Sequence, residues 1–292
     1  MTTLVRLLAA LSAILFLGNV AAAREPRDGG LGVMTYNIRL DLASDGINAW
    51  PHRKNMVAAL IRHEAPDILG MQEVMVGQKR DLELALPEFA VVGAARDDGK
   101  EKGEFSPIAY RRDRFELVGS GTIWLSETPA VPSKSWDAAY PRIATWAILR
   151  DRKGGASIRV VNTHFDHVGV IARHQSASLL SLWLAEGEWA GLPTILMGDF
   201  NSTPDGSAYR LLAGNAALGL RDARTISRTP AYGPPGTFNA FKIDSDAPAP
   251  IDHIFVSGQF SADRYSVITQ HWGGRLPSDH YPVVASLKLE ER

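Results

Sequence analysis

The 292-residue sequence predicts an α/β protein in which a mixed β-sheet system carries helices on its outer side. Short apolar runs of strand length recur along the chain, and glycine and proline separate them at short intervals. Helical patterns stand between some of these runs. Hydrophobic residues are 45% and charged residues 22% of the chain, a balance that excludes disordered, collagen-like and coiled-coil proteins.

Nine segments have the length and composition of β-strands. They are residues 33–38, 67–71, 89–92, 107–110, 143–149, 158–163, 194–197, 251–256 and 283–289. No period of 20–50 residues repeats, and no low-complexity linker interrupts the chain. We therefore expect one domain without an internal boundary.

Three helices are predicted between these strands. The first follows Pro51 and has one face made of Met56, Ala59, Leu60 and His63. The second covers residues 170–188, with apolar side chains spaced for burial at Leu179, Leu180, Trp183 and Leu184. The third is short and follows Asp205, which we expect to be its N-cap.

Residues 1–23 predict a secretory signal peptide. Arg6 precedes an apolar run over residues 7–18, and Ala21, Ala22 and Ala23 provide the small residues of a cleavage site. A membrane anchor is the alternative, although the run is short for a bilayer and Asn19 interrupts it. We expect residues 24–292 to be a secreted or periplasmic monomer with no membrane span after cleavage, and no protein partner is implied.

Charge and cysteine content limit the chemistry. Lys plus Arg is 31 and Asp plus Glu is 32, so the chain has no excess of positive charge for tracking a nucleic-acid backbone. The absence of cysteine from the sequence excludes disulfides, thiolate zinc sites, iron–sulfur clusters and cysteine nucleophiles. Any metal must be held by Asp, Glu, Asn or His.

Six apolar segments are joined to polar, chemically active residues. These residues are Asn37, Glu73, His164, Asp199, Asn201, Asp252, Asp279 and His280. A buried carboxylate is costly unless it is paired or bound to a metal, so six such segments are better explained by one convergent site than by six separate ones. Oxygen ligands without thiolates suit Mg²⁺ or Mn²⁺.

Each residue alone also has a simpler structural interpretation. Asn37 can cap a turn, and Glu73 can be a surface carboxylate after a strand. Residues 199–201 can form an Asx turn before Pro204. His164 can be a hydrogen-bonded histidine without a catalytic role. The convergence of these residues is therefore the hypothesis that the structure has to test.

Taken in this order, the residues resemble the endonuclease/exonuclease/phosphatase superfamily with its DNase I-like fold. The resemblance extends from Asn37 to His280, and its most specific parts are residues 198–201 and 278–280. It implies a four-layer α/β/β/α sandwich of two packed mixed β-sheets with the site at one rim. It also implies a Mg²⁺- or Mn²⁺-dependent hydrolase of phosphoesters in nucleic acid, lipid headgroups or small phosphodiesters.

The resemblance implies a role for each site residue. The principal metal ligand would be Glu73, with the amide of Asn37 beside it. Asp279 would be a further metal ligand or, alternatively, a carboxylate that supports His280. Asp199 would activate the attacking water and His280 would contact a phosphoryl oxygen. Asn201 would hold phosphate. His164 would be a second catalytic histidine, and Asp252 would be the carboxylate that pairs with it.

Further candidates lie outside these motifs. Arg142 is a possible phosphate clamp because a guanidinium pairs bidentately with anions, and a structural ion pair is the alternative. The charged segment 96–104 has the composition of a rim that gates substrate, or of a solvated loop. We expect specificity to reside in residues 93–105, 124–142 and 228–241. Arg39 stands where the abasic-endonuclease branch has a carboxylate or amide, which argues against DNA repair and a second metal.

Two other functions are compatible with the sequence. Residues 164–167, His-Phe-Asp-His, resemble part of the ligand run of metallo-β-lactamases and would make the protein a zinc hydrolase, although Asn162 stands where the first histidine of that run belongs. A non-catalytic exported binding protein on the same scaffold is the other possibility.

Overall fold

The computed structural model describes residues 30–290 and contains two six-stranded mixed β-sheets. The predicted signal segment 1–23 lies outside the described residues. Sheet I has the order β11-β12-β1-β2-β4-β3, from Phe260–Val267, Val283–Leu289, Leu31–Asn37, Ile68–Gln72, Ile108–Arg111 and Phe89–Val92. Sheet II has the order β5-β6-β7-β8-β10-β9, from Phe115–Trp124, Ile143–Asp151, Ser157–His164, Thr194–Asp199, Asp252–Val256 and Arg221–Asp222.

Five α-helices and one short 3-10 helix connect these strands in the described part of the chain. They are α1 (Trp50–Glu64), α2 (Val76–Ala85), α3 (Val170–Ala185), α4 (Ser207–Ala213), α5 (Ala223–Ile226) and the 3-10 helix Ala43–Asn48. Within residues 30–290, none of the helices combines the length and apolar character that crossing a bilayer requires.

Three apolar layers hold the sandwich together. Side chains such as Val33 and Val160 fill the space between the two sheets. Met34, one residue along β1 from Val33, points to the opposite face and packs with the α1 residues Leu60 and Ile61. On the far side of sheet II, Leu180 of α3 packs with Leu196 of β8. The layer order is therefore α/β/β/α, and the predicted fold class is confirmed.

The topology brings the polar strand ends to one rim of the sandwich. In sheet I, β1 and β2 are parallel, so Asn37 pairs with Gln72 at their shared carboxyl ends. In sheet II, β7 and β8 are parallel and His164 pairs with Asp199. The neighbouring strands β10 and β12 run in the opposite direction, so their first residues lie at the same rim.

A polar contact joins the two sheets directly below this rim. Gln72 Nε2 donates to Asn162 Oδ1 across the interface at 2.7 Å, and Asn162 Nδ2 donates to the carbonyl of Met71 at 2.7 Å. Gly70 permits this close approach, because a Cβ atom there would lie 2.6 Å from Asn162 Oδ1. The relative position of the sheets is thus fixed next to the site.

Three details of the predicted helices are wrong. The buried face of α1 is formed by Trp50, Arg53, Val57, Ala58, Leu60 and Ile61, while His63 is exposed. Helix α3 ends at Ala185, before Gly187 with a φ of 83°, and not at residue 188. The N-cap of α4 is Gly206, because the Asp205 carboxylate accepts instead from Thr203 Oγ1.

Six described elements were not predicted: the 3-10 helix, α2, β5, β9, α5 and β11. The three longest of these, α2, β5 and β11, have weak apolar patterns. Helix α2 buries only Gln78 and Leu82. Strand β5 is an edge strand and exposes much of its length. Strand β11 contains a register shift between Ala262 and Arg264, which interrupts the alternation of inward and outward side chains.

Candidate active site

Asn37 and Glu73, at the ends of β1 and β2 of sheet I, lie at the centre of the site. Asn37 Nδ2 donates to Glu73 Oε1 at 3.0 Å and to Asp199 Oδ2 at 3.0 Å, which links the ends of β1, β2 and β8. The second oxygen of Glu73, Oε2, accepts the backbone N–H of Leu40 at 3.1 Å. Asn37 is buried and Glu73 is half-buried. Two of the three predicted metal ligands are therefore adjacent.

The backbone at the site adopts conformations that non-glycine residues seldom use. Glu73 has a φ of 61° and Asn201 has a φ of 46°. Gly198 has a φ of 150°, and a Cβ atom there would lie 2.0 Å from the carbonyl oxygen of Thr163. Such conformations persist where the surrounding structure enforces them, and they cluster at functional sites.

His280 is paired with Asp252. The His280 Nδ1–Asp252 Oδ2 distance is 2.9 Å, and His280 Nε2 lies 3.8 Å from Asp199 Oδ2. Burial alone lowers the pKa of His280, but the charge and hydrogen bond of Asp252, together with Asp199, raise that pKa well above the usual imidazole value. These contacts favour the protonated form of His280, with Nε2 on the side of Asp199.

The predicted pairing of Asp252 with His164 is wrong. In the structure Asp252 is hydrogen-bonded to His280, because the two residues lie in neighbouring segments at the rim. His164 Nε2 instead lies 3.5 Å from Asp199 Oδ2. Burial lowers the pKa of His164 well below its usual value, and the nearby Arg142 and Arg96 lower it further. The two histidines therefore differ in charge.

Glu104 is a site residue that sequence reasoning missed. Its Oε2 lies 3.9 Å from His164 Nδ1, and its Oε1 pairs with Arg96 Nη2 at 2.8 Å. His164 Nδ1 has no hydrogen-bond partner within residues 30–290. Burial raises the pKa of Glu104, and Arg96 opposes that rise. No apolar strand leads into Glu104, so the strand-end pattern did not separate it from its charged neighbours.

Asp199 lies between the two histidines and Asn37. Its Oδ1 accepts the backbone N–H of Asn201 at 2.9 Å, so the predicted Asx turn is also present. Burial raises the pKa of Asp199 from its ordinary 3.8 to about 7, and the neighbouring Asp252 carboxylate adds to the rise. A carboxylate with such a pKa can accept a proton near neutral pH.

Asp199, Asp252 and His280 offer ligand atoms that lie within 4.8 Å of one another. The His280 Nδ1–Asp252 contact at 2.9 Å already engages two of these groups, which makes the cluster better suited to holding protons than to enclosing an ion. The third predicted metal ligand, Asp279, lies 3.7 Å from Arg39 Nη1. Burial raises the pKa of Asp279, and His280 opposes the rise.

Arg142 forms a buried ion pair. Its Nε donates to Asp166 Oδ2 at 3.2 Å, and its Nη2 lies 2.9 Å from His167 Nδ1. The structural interpretation of Arg142 is thus confirmed, while phosphate contact stays a prediction. The residues of segment 164–167, which resembles part of a zinc site, therefore have different partners. Asp166 and His167 contact Arg142, whereas His164 lies beside Asp199.

Each of the three predicted specificity loops contributes a residue near the site: Glu104 beside His164, Tyr140 beside Arg96 and Phe238 beside His280. The segment 96–104 is anchored at Arg96, which is buried and whose carbonyl accepts from Trp124 Nε1 at 2.6 Å. Most of residues 97–102 are exposed, and gating stays a prediction. The Tyr140 ring, half-exposed, lies 4.8 Å from the Arg96 guanidinium carbon. Phe238 packs edge-to-face on His280 with 5.1 Å between ring centroids. Within residues 30–290, Asn201 Nδ2 donates one hydrogen bond, to the carbonyl of Phe165. Its second N–H is therefore available for the predicted contact with phosphate.

Comparison with known proteins gives concordant results. The model of the family described as Endonuclease/Exonuclease/phosphatase family matches residues 34–280, which contain every site residue discussed above. An endonuclease/exonuclease/phosphatase family protein from Bacteroides thetaiotaomicron has a TM-score of 0.86 and 38% identity, over 90% of this chain and 98% of that one.

Two named proteins are also similar. A mannosyl-6-phosphatase from Bacteroides thetaiotaomicron has a TM-score of 0.85 and 39% identity, over 88% of this chain and 99% of its own. Nocturnin from Drosophila melanogaster is 24% identical over 282 residues, covering 82% of this chain. The chain spans 42% of the length of that nocturnin.

Proposed function

The chain belongs to the endonuclease/exonuclease/phosphatase family, and on that premise we propose that it is an exported, divalent-metal-dependent phosphoester hydrolase. The observation that carries the proposal is the position of Asp199. Its Oδ2 lies within 3.8 Å of the side chains of Asn37, His164 and His280. One carboxylate thus faces two imidazoles and an amide at the rim where the sheets meet.

Mg²⁺ or Mn²⁺ fits the donors on the sheet I side. Glu73 offers two carboxylate oxygens and Asn37 one amide oxygen, which are hard ligands. Within residues 30–290 each Glu73 oxygen accepts one hydrogen bond, although a carboxylate has about four acceptor positions. Glu73 and Asn37 would hold the ion, with Asp279 contributing beside Arg39. A bound ion would neutralise phosphoryl charge and stabilise the leaving oxygen.

Four side chains are assigned the remaining catalytic and binding roles. Asp199 takes a proton from the attacking water, because its raised pKa makes it a base near neutral pH. His280, kept charged by Asp252, donates to a phosphoryl oxygen as negative charge develops. His164 is neutral and positions the phosphoryl group through Nε2, and Asn201 donates its remaining amide N–H.

A phosphorylated sugar is the substrate class that we propose first. The similar mannosyl-6-phosphatase supports this choice, as does the net charge of −1, which provides no broad basic surface for a nucleic acid. Tyr140 and Phe238 present half-exposed rings beside Arg96 and His280, and such rings can pack against a sugar.

The test is turnover of a substrate panel with Mg²⁺ and Mn²⁺. We expect hydrolysis of mannose 6-phosphate to exceed that of bis-p-nitrophenyl phosphate, single-stranded RNA and DNA, and chelation of the metal to abolish it. Glu73→Ala is expected to lower turnover by about 100-fold or more, since it removes a ligand of the ion that stabilises the transition state.

The matched control is Glu83→Ala, which removes a partly exposed carboxylate that pairs with Lys79 on helix α2. This variant should retain full turnover, and both variants should unfold at the temperature of the native protein to within a few degrees. Inertness of the native protein towards the whole panel, or full activity of Glu73→Ala, contradicts the proposal. Stoichiometric zinc in the purified protein, with activity restored by zinc alone, favours the zinc hydrolase instead.

Export is proposed from residues 1–23. We expect a bacterium that expresses the full chain to process it after Ala23 and to release it into the periplasm or medium. N-terminal sequencing of the fractionated protein measures this directly. Deletion of the apolar residues 7–18 is the control and should leave the protein in the cytoplasm. An uncleaved native chain in the membrane fraction would instead indicate an anchor.

A further inference from the structure

Arg53 is a fully buried cation on helix α1 whose hydrogen bonds within residues 30–290 all go to backbone carbonyls. Its Nε donates to the carbonyl of Asn48 at 2.7 Å, and its Nη1 donates to the carbonyl of Pro277 at 3.2 Å. The remaining acceptors are the three consecutive carbonyls of residues 38–40. Burying a guanidinium without a hydrogen-bonded carboxylate costs free energy of folding. The role of these contacts therefore needs an explanation.

The first segment that Arg53 holds orients the sheet I side of the site. Within residues 38–40, the backbone N–H of Leu40 donates to Glu73 Oε2 at 3.1 Å, and the N–H of Arg39 donates to Asn37 Oδ1 at 3.0 Å. Arg39 has a φ of 59°, a strained conformation that its carbonyl's contact with Arg53 helps to retain. The same peptide units thus bind Arg53 through oxygen and the site side chains through nitrogen.

The second segment carries the other half of the site. Pro277 directly precedes Ser278, whose Oγ donates to the carbonyl of Asn37 at 2.7 Å, and Asp279 and His280 follow. A third loop also reaches Arg53, since the Phe241 ring centroid lies 5.8 Å from its guanidinium carbon. Arg53 therefore contacts three segments that come from distant parts of the chain.

We propose that Arg53 is a positioning residue that keeps the Glu73–Asn37 side and the Asp279–His280 side of the site at their working separation. The inference rests on the proposed function of that site. Outer groups that orient metal ligands typically contribute 10- to 100-fold to metal affinity or activity, and a shift of about 1 Å in a catalytic group has a comparable effect. Loss of the Arg53 guanidinium should therefore weaken metal binding and turnover together.

Arg159 provides a matched control. It is also buried, and its Nε and Nη2 donate to Thr194 Oγ1 at 3.1 Å and to the carbonyl of Leu184 at 2.7 Å, again without a carboxylate. It lies five residues before His164 on β7, about 16 Å away along the strand. Substituting Arg159 therefore removes a similarly buried guanidinium that lies away from the site.

The experiment compares Arg53→Lys with Arg159→Lys. Lysine keeps the charge but cannot reach three segments at once. We expect Arg53→Lys to lower kcat by about 10- to 100-fold and to weaken Mn²⁺ binding, measured by calorimetry without substrate, by about 10-fold or more. Arg159→Lys should keep both values within about twofold of the native protein at a similar loss of thermal stability.

Equal effects of the two substitutions on kcat and on Mn²⁺ affinity would overturn the inference. Arg53→Gln serves the same test if the lysine variant does not fold, because it retains an amide donor and buries no charge. The NMR signal of the His280 Nδ1 proton is read in all variants. A shift in Arg53 variants but not in Arg159→Lys supports positioning even if no substrate is turned over, an outcome that would count against the proposed function alone.

Discussion

Asp199→Asn is expected to reduce kcat by about 10²- to 10⁴-fold while leaving the protein as stable as the native form or more stable. The activity falls because the amide cannot take the proton of the attacking water. Stability is retained because Asp199 is an unfavourably buried carboxylate. Its pKa rises from 3.8 to about 7 through burial first and through the adjacent Asp252 second.

The sign of the pH effect follows from this shift. Between about pH 4 and pH 7 the folded protein binds a proton at Asp199 more tightly than the unfolded chain does, so ionising this group lowers stability as pH rises. Asparagine does not ionise. The difference in free energy of unfolding between Asp199→Asn and the native protein should therefore grow from pH 4 to pH 7, in favour of the variant.

Urea unfolding of both metal-free proteins at several pH values measures the stability, and initial rates with Mg²⁺ measure the activity. Asn201→Ala is a useful comparison, because it leaves the Asp199 carboxylate in place and removes the amide that donates to the carbonyl of Phe165. Should Asp199→Asn retain more than about a tenth of native kcat, Asp199 is not the base.

His280→Ala is expected to reduce kcat by about 10²- to 10³-fold and, in contrast, to destabilise the protein by about 3–5 kcal/mol. The substitution removes the charged donor to the phosphoryl oxygen. It also leaves Asp252 buried without its partner, since Asp252 Oδ1 already has no hydrogen-bond partner within the described residues. Asp199, whose ligand oxygen lies within 4.8 Å, adds like-charge repulsion.

A second substitution separates the two effects. The double variant His280→Ala with Asp252→Asn should recover much of the lost stability but none of the activity, because it removes the unpaired charge without restoring the donor. His253→Ala is the matched control: His253 is also fully buried and contacts a carboxylate, Asp222, at 3.3 Å. It should lower stability and keep kcat near the native value. Equal kcat losses in the two histidine variants would remove the assigned role of His280.

The residues at the site were accessible from the sequence because they follow strong local patterns. The apolar runs before Asn37, Glu73, His164 and Asp199 have the length of buried strands, and each ends in a polar residue. Parallel strands with such ends place them at a common rim. Local patterns therefore indicated that these four residues lie at one rim.

Other features could not be predicted because they depend on contacts between distant segments. Both histidines lie at the same rim, so the sequence alone does not indicate which of them is hydrogen-bonded to Asp252. Glu104 reaches the site through a loop that pairs with Val74 and Ala95, and no residue pattern near Glu104 marks that path. A helix-face rule based on hydrophobicity also does not anticipate Arg53 on the buried side of α1.

By itself, the sequence determined the α/β class, most of the strands and the set of oxygen- and imidazole-bearing residues, because these follow from the short-range order of apolar and polar side chains. The tertiary structure alone decided which carboxylate pairs with which imidazole, how charge divides between His164 and His280, and what Arg53 binds. Those properties depend on distances and burial between segments that are far apart in the chain, such as Arg53 and Pro277, which are 224 positions apart, and Asn37 and Ser278, which are 241 positions apart. Local order along a chain contains no information about such distances until strand register and loop packing are established.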